Sequence, residues 1–385
     1  MVVKRTGKNL QRVKASNRKA IIKTLREKEC SGNELAKLLK LSPAGIQVLV
    51  DEMVAEGLVY KEDAEVVIRG RRPINIRINP HIGVVAIISL STSTAYKVSI
   101  CDFKANILSS CEQNCVENLP ERLLLDIQRL VEETGFKLYG IAIETAGKVH
   151  KETGAFHYAP NMDKLVSVNF KELLEEHFHV GVVIKNKLIF SLFAERKYNT
   201  DVPLDNCLYI KGLGSALCIE GRIFEGGNGF AGELGLVNID IYGALNEEDY
   251  YNPYRSNHYL SAYTALKTAV QYASKGEIKE DIRTEEIFRM YNEGIEFVKK
   301  PVRKFIRIFS LTVKNMLEFM DLNQLVIAGD LATLNDDGLS LISKYVNESA
   351  MDKLEVQVLR ANPQYSSFMG AFEYAMDIAY ATILK

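Results

Sequence analysis

The sequence predicts an α/β protein with a small helical head and a much larger α/β body. Residues 1–78 contain three short amphipathic stretches, followed by two stretches that alternate like a β-hairpin. Residues 79–385 instead alternate apolar strands with helices, in two successive halves. A chain of 385 residues is long for one domain and suits two or three.

Start and stop signals divide the head into three helices. Apolar periodicity predicts the first helix over residues 18–29. Ser31 and Glu34 form a capping box at the start of the second helix. Ser42 and Pro43 have the residue types of an N-cap and a first helical position, so they begin the third. The side chains expected to face inward are Leu35, Ala36, Leu38 and Leu39 in the second helix and Ile46, Leu49, Val50 and Met53 in the third.

Three helices followed by a hairpin are typical of a winged helix-turn-helix domain, which places its third helix in the DNA major groove. The residues predicted to face the groove are Ser42, Pro43, Ala44, Gln47, Val48 and Asp51. The amide of Gln47 suits an adenine edge, while Ala44 and Val48 suit thymine methyl groups. The alternative is a small helical packing module that binds no DNA.

Residues 42–56 contain no Lys or Arg, so the affinity for DNA must come from phosphate contacts elsewhere. The predicted contacts are an N-terminal arm (Lys4, Arg5, Lys8, Arg12, Lys14) and the tip of the hairpin (Arg69, Arg71, Arg72). Residues 1–80 carry 17 Lys and Arg against 9 Asp and Glu, whereas the rest of the chain carries 31 against 40. A basic head on an acidic body favours a polyanionic partner, although a solvated charged tail has the same composition.

The spacing of the cysteines and the length of the apolar runs predict where in the cell the protein is found. The six Cys include no Cys-x-x-Cys pair, as expected of reduced thiols in the cytosol. There is no apolar run near 18 residues and no signal peptide, so we expect a cytoplasmic protein with no membrane partner.

The body shows the same order of elements twice. Strands are predicted at Val84–Leu90, Tyr96–Ile100, from Ile107, and at Leu138–Ile143, with a helix over 119–134. The second half repeats the pattern with strands at Cys207–Ile210, Ala216–Glu220 and Gln324–Ala328. Consecutive strands followed by a helix and a further strand favour an α/β fold in both halves.

At this point the sequence resembles the ROK family, named for repressors, open reading frames and kinases. The matching segments are Ala159–Asn161, Gly212–Gly214 with Gly221, the glycine-rich stretch Gly226–Gly235, and Gly370–Ala371. The resemblance implies an actin-like/sugar-kinase (ribonuclease H-like) body with two lobes, approximately 79–190 with the C-terminal helix, and 191–369. A winged-helix head on such a body is typical of the repressor branch, of the xylose or N-acetylglucosamine repressor type.

Departures from the family pattern argue against catalysis. In the family's kinases the first hairpin turn is Asp-x-Gly-Gly-Thr and holds ATP phosphate, but here the stretch Ser89–Thr94 has neither the acid nor the glycines. The kinases also use an Asn-Asp pair whose Asp is the base. Here Asn186 is kept and Lys187 replaces the Asp, and a protonated lysine cannot act as that base. We therefore predict no enzyme activity, no catalytic residues and no cofactor.

The same comparison predicts no zinc and a candidate ligand site. Zinc-bearing members have a His and a Cys-rich loop after the Gly-Glu-x-Gly motif, whereas here Leu236 takes the His position and residues 238–260 contain no Cys. Asn161 and Glu233 match residues that bind sugar hydroxyls in relatives. The candidate ligand-binding residues are Asn161, Asn186, Lys187, Glu233 and His157. Lys187 favours an anionic sugar; a neutral sugar, or a site closed by a Lys187–Glu233 ion pair, stays open.

These features together predict a transcriptional regulator, a repressor of carbohydrate genes. We expect it to bind double-stranded operator DNA as a homo-oligomer, a dimer or a tetramer. A sugar or sugar-phosphate effector would bind between the lobes and shift their closure. Two alternatives stay open: a body that no longer binds sugar and serves only dimerisation or a protein partner, and an active sugar kinase with a DNA-binding head.

Overall fold

A computed structural model describes residues 3–63, 74–90, 95–114, 118–158, 168–239, 259–278, 282–348 and 355–384. The chain divides into two compact units. The first unit comprises Met1–Gly147, Thr153–Ile184 and Ala371–Lys385, and the second comprises Lys148–Glu152 and Lys185–Gly370. No helix in the described ranges has the length and apolar character needed to cross a membrane.

The head folds as three helices and a small antiparallel sheet within the first unit. Its elements are α1 (Val3–Glu27), β1 (Cys30–Ser31), α2 (Gly32–Leu39), α3 (Pro43–Ala55), β2 (Val59–Asp63) and β3 (Ile74–Ile78). Strand β3 lies between β1 and β2 and pairs with both in antiparallel register. The three helices bury Ile21, Ile22, Leu35, Ile46 and Val50 against each other and the sheet. The three helices followed by β2 and β3 were predicted, whereas the short strand β1 between α1 and α2 was not.

Two predictions in the head were wrong. Helix α1 begins at Val3, not near residue 18, so the described part of the basic arm is helical. Its first turns were missed because their sequence lacks an apolar face. Further along the helix, two ion pairs join α1 to α3, Lys14 with Glu52 and Arg18 with Glu56. Leu38 does not face inward, because 48% of it is exposed, whereas Leu35 and Ala36 are buried as predicted.

The body contains the remaining elements in two sets. In chain order they are β4 (Val84–Leu90), β5 (Tyr96–Cys101), β6 (Ile107–Gln113), α4 (Leu119–Thr134), β7 (Leu138–Thr145), β8 (Lys148–Val149), β9 (Phe156–Tyr158), α5 (Phe170–Phe178), β10 (Val182–Asn186), α6 (Lys187–Tyr198), β11 (Cys207–Lys211), β12 (Gly214–Ile219), β13 (Arg222–Phe224), α7 (Tyr259–Ala273), α8 (Thr284–Asn292), α9 (Glu296–Met320), β14 (Gln324–Ala328), α10 (Asp336–Asn347), β15 (Gln357–Arg360) and α11 (Ser367–Ile383).

Each unit of the body contains one five-stranded sheet. The first sheet has the order β10-β7-β4-β5-β6, with β4 antiparallel to β5 and parallel to β7. The second has the order β13-β12-β11-β14-β15, with β11 antiparallel to β12 and parallel to β14. The α/β class with two successive halves is confirmed.

The second sheet is covered on both faces. One cluster of buried side chains joins β11 and β14 to α7, α8, α9 and α10, and includes Phe288, Phe305 and Phe309. A smaller cluster joins the opposite face to α6 through Leu188 and Leu192. Alternate residues of β11 and β14 fall into different clusters, as the period of two of a strand requires.

Two glycines allow α11 to approach its neighbours closely. A Cβ atom on Gly370 would lie 2.0 Å from the carbonyl oxygen of Phe190 in α6. In the first unit, a Cβ atom on Gly140 of β7 would lie 2.8 Å from the carbonyl oxygen of Ala375. Both approaches are closer than any side chain permits, so glycine is required at these positions.

Candidate functional site

The amino-terminal end of α3 presents a small, exposed and nearly uncharged face. The hydroxyl of Ser42 accepts a hydrogen bond from the Gly45 amide (3.1 Å), and Pro43 occupies the first turn. Ile46, Val50 and Met53 are fully buried on the opposite side. The predicted groove-facing residues Ser42, Pro43, Ala44, Gln47, Val48 and Asp51 are all exposed.

Gln47 is oriented on this face by a chain of polar contacts. Its side-chain nitrogen donates to both carboxylate oxygens of Asp51, each at 3.0 Å, and Asp51 forms an ion pair with Lys61 of β2. The hydrogen bonds from Lys61 and then Gln47 lower the pKa of Asp51. Lys61 offsets the negative charge that Asp51 would otherwise present to DNA phosphates.

The basic residues predicted to contact phosphate are only partly described. Lys4, Arg5 and Lys8 lie in the first turns of α1. Arg12 is exposed on the same helix, whereas Lys14 pairs with Glu52 of α3 at 2.7 Å. Lys14 is therefore engaged within the head. The wing residues Arg69, Arg71 and Arg72 lie outside the described residues.

In the second unit, the glycine-rich stretch Gly226–Gly235 follows a path that side chains would block. Gly226, Gly229 and Gly232 have φ values of 76°, 92° and 94°. A Cβ atom would lie 2.2 Å from the carbonyl oxygen of Ser215 at Gly232, and 2.6 Å from that of Val149 at Gly229. The loop is therefore pressed against β8 and the start of β12 through its backbone.

Asn186 and Lys187 lie where β10 passes into α6. The side-chain oxygen of Asn186 caps α6 by accepting a hydrogen bond from the Leu188 amide (2.9 Å), and Lys187 is partly buried. Leu188 packs so tightly on Gly214 that a Cβ atom there would lie 2.4 Å from its Cδ1. Asn186 and Lys187 therefore directly precede a residue that packs on the turn Gly212–Gly214.

Glu233 adjoins the same turn and forms an ion pair. The Gly235 amide donates to the Leu213 carbonyl at 2.8 Å, which ties the Glu233 loop to this turn. The Oε2 atom of Glu233 lies 3.6 Å from Nζ of Lys148, and 39% of its side chain is exposed. In the second unit, Leu188, which follows Asn186 and Lys187, and the Glu233 loop thus both contact the turn Gly212–Gly214.

Two further residues, His157 and Asn161, were predicted to contact the ligand. His157 is exposed on β9, in the first unit. Asn161 lies outside the described residues. Within the described ranges, no cluster of His, Cys, Asp and Glu side chains suits a metal ion.

Sequence reasoning missed one residue, Glu144 at the end of β7. It is only 8% exposed, and its Oε2 atom has no hydrogen-bond partner in the described structure. It pairs in register with Ser89, the first residue of the stretch Ser89–Thr94. The available signal was a single acid at the end of an apolar strand. A buried carboxylate at this point disfavours a phosphate group nearby.

The family model described as "ROK family" matches residues 92–378. The chain belongs to the ROK family. Within it, the chain is 26% identical over 241 residues to the xylose repressor of Caldicellulosiruptor bescii, covering 60% of each protein. The match therefore spans about 60% of that relative's length. It is also 21% identical over 357 residues to the DNA-binding transcriptional dual regulator NagC of Escherichia coli K12, covering 88% of this chain and 86% of NagC.

Solved structures of ROK proteins share the fold. A ROK family transcriptional regulator, a homologue of the E. coli MLC protein, matches with a TM-score of 0.76 and 18% identity, covering 97% of this chain and 98% of its own. The ROK hexokinase of Thermus thermophilus matches with a TM-score of 0.60 and 19% identity, but covers only 76% of this chain. The sugar-kinase-like fold of the body is confirmed, and the family includes both regulators and kinases.

Proposed function

We propose that this ROK protein is a DNA-binding regulator of carbohydrate genes, acting as a repressor and inactive as a kinase. The observation that carries the proposal is the exposed face of α3, which presents Gln47, Ala44 and Val48 on a winged-helix head. Such a surface reads base edges through one amide and two small apolar groups. The resemblance to a xylose repressor and to NagC supports carbohydrate genes as the target.

The body supports the absence of phosphoryl transfer. Lys187 begins α6 in place of a catalytic carboxylate, and Glu144 is buried and pairs with Ser89 of β4. Phosphoryl transfer depends on positioning and neutralising phosphate charge, which a buried carboxylate opposes. The ligand we propose is a sugar or sugar-phosphate held near Asn186, Lys187 and Glu233. A homodimer would read two half-sites one or two helical turns apart.

Genomic footprinting of the full chain tests this function. We expect protected sites beside genes for sugar uptake or breakdown, and weaker protection when the corresponding sugar or sugar-phosphate is present. Gln47→Ala should lower the affinity for the recovered operator by about 1–3 kcal/mol at one base position and leave the dependence on salt unchanged. Random DNA protected as well as any single locus would contradict the proposal.

The second candidate is a regulator whose body binds no sugar and serves only dimerisation or a protein partner. It is favoured by the Lys148–Glu233 ion pair and by the Asn186 oxygen, which is used as a helix cap. A thermal-shift screen of neutral and phosphorylated sugars separates the two candidates. A ligand that binds only the folded state raises the melting temperature, whereas a closed site leaves it unchanged.

A further inference from the structure

The first and last helices of the chain are joined by a buried ion pair. Arg26, near the end of α1, donates from Nη2 to Oε1 of Glu373 at 2.7 Å and from Nη1 to Oε2 at 3.1 Å. Only 9% of the Arg26 side chain and 3% of the Glu373 side chain are exposed. Two parallel hydrogen bonds between a planar guanidinium and a carboxylate fix orientation as well as distance.

Two aromatic side chains of α11 complete the surroundings of Arg26. Its Nη1 atom also donates to the hydroxyl of Tyr380 at 3.4 Å. Its guanidinium lies 4.9 Å from the centre of the Phe372 ring, close enough for a cation–π contact. Three side chains of α11, Glu373, Phe372 and Tyr380, thus contact the guanidinium of Arg26.

A second, outer contact extends the same pair of helix faces. Lys19 and Lys23, one turn apart on α1, lie 2.9 and 3.3 Å from the same carboxylate oxygen of Asp377. Asp377 is one turn beyond Glu373 on α11. Charged contacts therefore join the two helices over about two turns, which limits rotation as well as separation.

Helix α1 is equally tied to the DNA-reading helix. Arg18 and Lys14 pair with Glu56 and Glu52 of α3, and Ile21, Ile22 and Leu25 of α1 are buried in the core of the head. The side of α1 that holds α3 and the side that holds α11 are different sides of one continuous helix. The contacts that hold α1 against α11 therefore also determine the orientation of α3.

Helix α11 also belongs to both units of the chain. Its first turn, Ser367–Gly370, is part of the second unit, where Gly370 packs against the carbonyl of Phe190. The rest of the helix, with Glu373 and Tyr380, is part of the first unit. The residues of α11 that contact α1 therefore all belong to the first unit.

We propose that the Arg26–Glu373 joint sets the orientation of α3 on the body, so that Arg26 is a positioning residue for DNA binding. This inference rests on the proposed function, because it needs a protein that reads DNA. Arg26 makes no contact with DNA itself. Its loss leaves the reading face and the phosphate contacts of each head intact, but lets the head turn on the body. A dimer then binds two half-sites at a preferred spacing less well, while one head binds a single half-site as before.

The test compares three full-length proteins on the operator recovered by footprinting. They are the parent, the double variant Arg26→Met/Glu373→Leu and the control Glu195→Gln. The double variant removes both charges together, so no unpaired charge is left buried and the fold is kept. Glu195 is a carboxylate of the second unit, 1% exposed, that accepts a hydrogen bond from the Asn362 amide.

Equilibrium binding is measured on three DNA duplexes. The first has the two half-sites at their natural spacing, and the second has about 5 extra base pairs between them, which is half a helical turn. The third has one half-site alone. We expect the parent and Glu195→Gln to prefer the natural spacing. The double variant should lose that preference and bind the natural operator about tenfold or more weakly. Its affinity for one half-site and its dependence on salt should match those of the parent.

Other outcomes overturn the inference and can be told apart. A double variant that keeps the spacing preference shows that the joint serves stability only. An equal loss on one half-site and on two shows damage to the reading face rather than a change of orientation. A parent that binds the operator with no spacing preference shows that its heads are not held. A parent that binds no DNA specifically contradicts the proposed function itself.

Discussion

The two five-stranded sheets of the body share one plan but differ at their first turn. In each, an antiparallel meander (β4-β5-β6 or β11-β12-β13) has one parallel strand, β7 or β14, beside its first strand. The turn Gly212–Leu213 joins β11 to β12 with a φ of 60° at Gly212. The corresponding stretch in the first sheet, Ser91–Thr94, contains no glycine and lies outside the described residues.

The difference extends to the residues around each turn. Beside the second turn, the glycine-rich loop presses its backbone on Ser215 and carries Glu233. Beside the first, Ser89 pairs with the buried Glu144. In the second unit, the loop beside the turn packs through its glycine backbone, whereas in the first unit a buried carboxylate pairs with the end of β4.

The largest expected effect is in the glycine-rich loop of the second unit. Gly232→Ala places a Cβ atom 2.2 Å from the Ser215 carbonyl at a φ of 94°. We expect the free energy of unfolding to fall by at least about 2 kcal/mol. Gly212→Ala is the matched control, because its φ is also positive but no atom lies within 4 Å of the added Cβ. It should cost only about 1 kcal/mol. Denaturant unfolding measures the free energy of unfolding of both variants. An equal loss in the two would show that the close approach of Gly232 to the Ser215 carbonyl is not important for stability.

A smaller effect is expected on ligand affinity. If the effector is a phosphorylated sugar, Lys187→Ala should weaken its binding by about tenfold, because a charge-assisted hydrogen bond is lost. Lys97→Ala, an exposed lysine on β5 of the first unit, should leave the affinity unchanged. Calorimetric titration with paired neutral and phosphorylated sugars measures this. Equal binding of both forms by the parent would exclude the anionic ligand.

In the first unit, a substitution at Glu144 should raise the free energy of unfolding, whereas Gly232→Ala lowers it. Glu144→Gln removes a buried charge with an unpaired oxygen, so the free energy of unfolding should rise by about 1 kcal/mol. Asp102→Asn is the control. This carboxylate is 3% exposed and accepts hydrogen bonds from Lys104 and Asn106 at 2.8–2.9 Å. The control should lose stability. A loss of stability in both variants would mean that Glu144 is a structural residue.

No gain of catalysis is expected from repairing one position. Lys187→Asp restores the carboxylate of the kinases' Asn-Asp pair but leaves Ser89–Thr94 and Glu144 as they are. ATP turnover in the presence of sugars should stay at background for the parent and for this variant. Sugar-dependent ATP turnover by either protein would contradict the inference that the first sheet lacks a turn suited to phosphate.

Local signals predicted the local structure well. The capping box of Ser31 and Glu34 and the Ser42–Pro43 start of α3 depend on residues three apart or adjacent, and all were found where expected. Helix α4 begins and ends at the predicted residues, because its apolar period and its final glycine are in the sequence. The exposed set around Gln47 followed from the same periodicity.

Long-range contacts were the part that periodicity could not supply. In the middle of α1, Lys14 and Arg18 pair with Glu52 and Glu56, each 38 residues away, and Arg26 pairs with a glutamate 347 residues away. The orphaned oxygen of Glu144 depends on how β4 and β7 pair, which an apolar run does not reveal. At the candidate ligand site the residues were predicted from the resemblance, but the pairing of Glu233 with Lys148 was not predicted.

The most direct test of the account is a competition between the footprinted operator and a scrambled duplex of the same length and composition. Binding is measured at two salt concentrations with the intact protein, in the absence of sugar. We predict that the operator binds about a thousandfold or more tightly than the scrambled duplex. We also predict that added effector reduces this ratio. Equal affinity for the two duplexes at both salt concentrations would contradict a function in reading DNA.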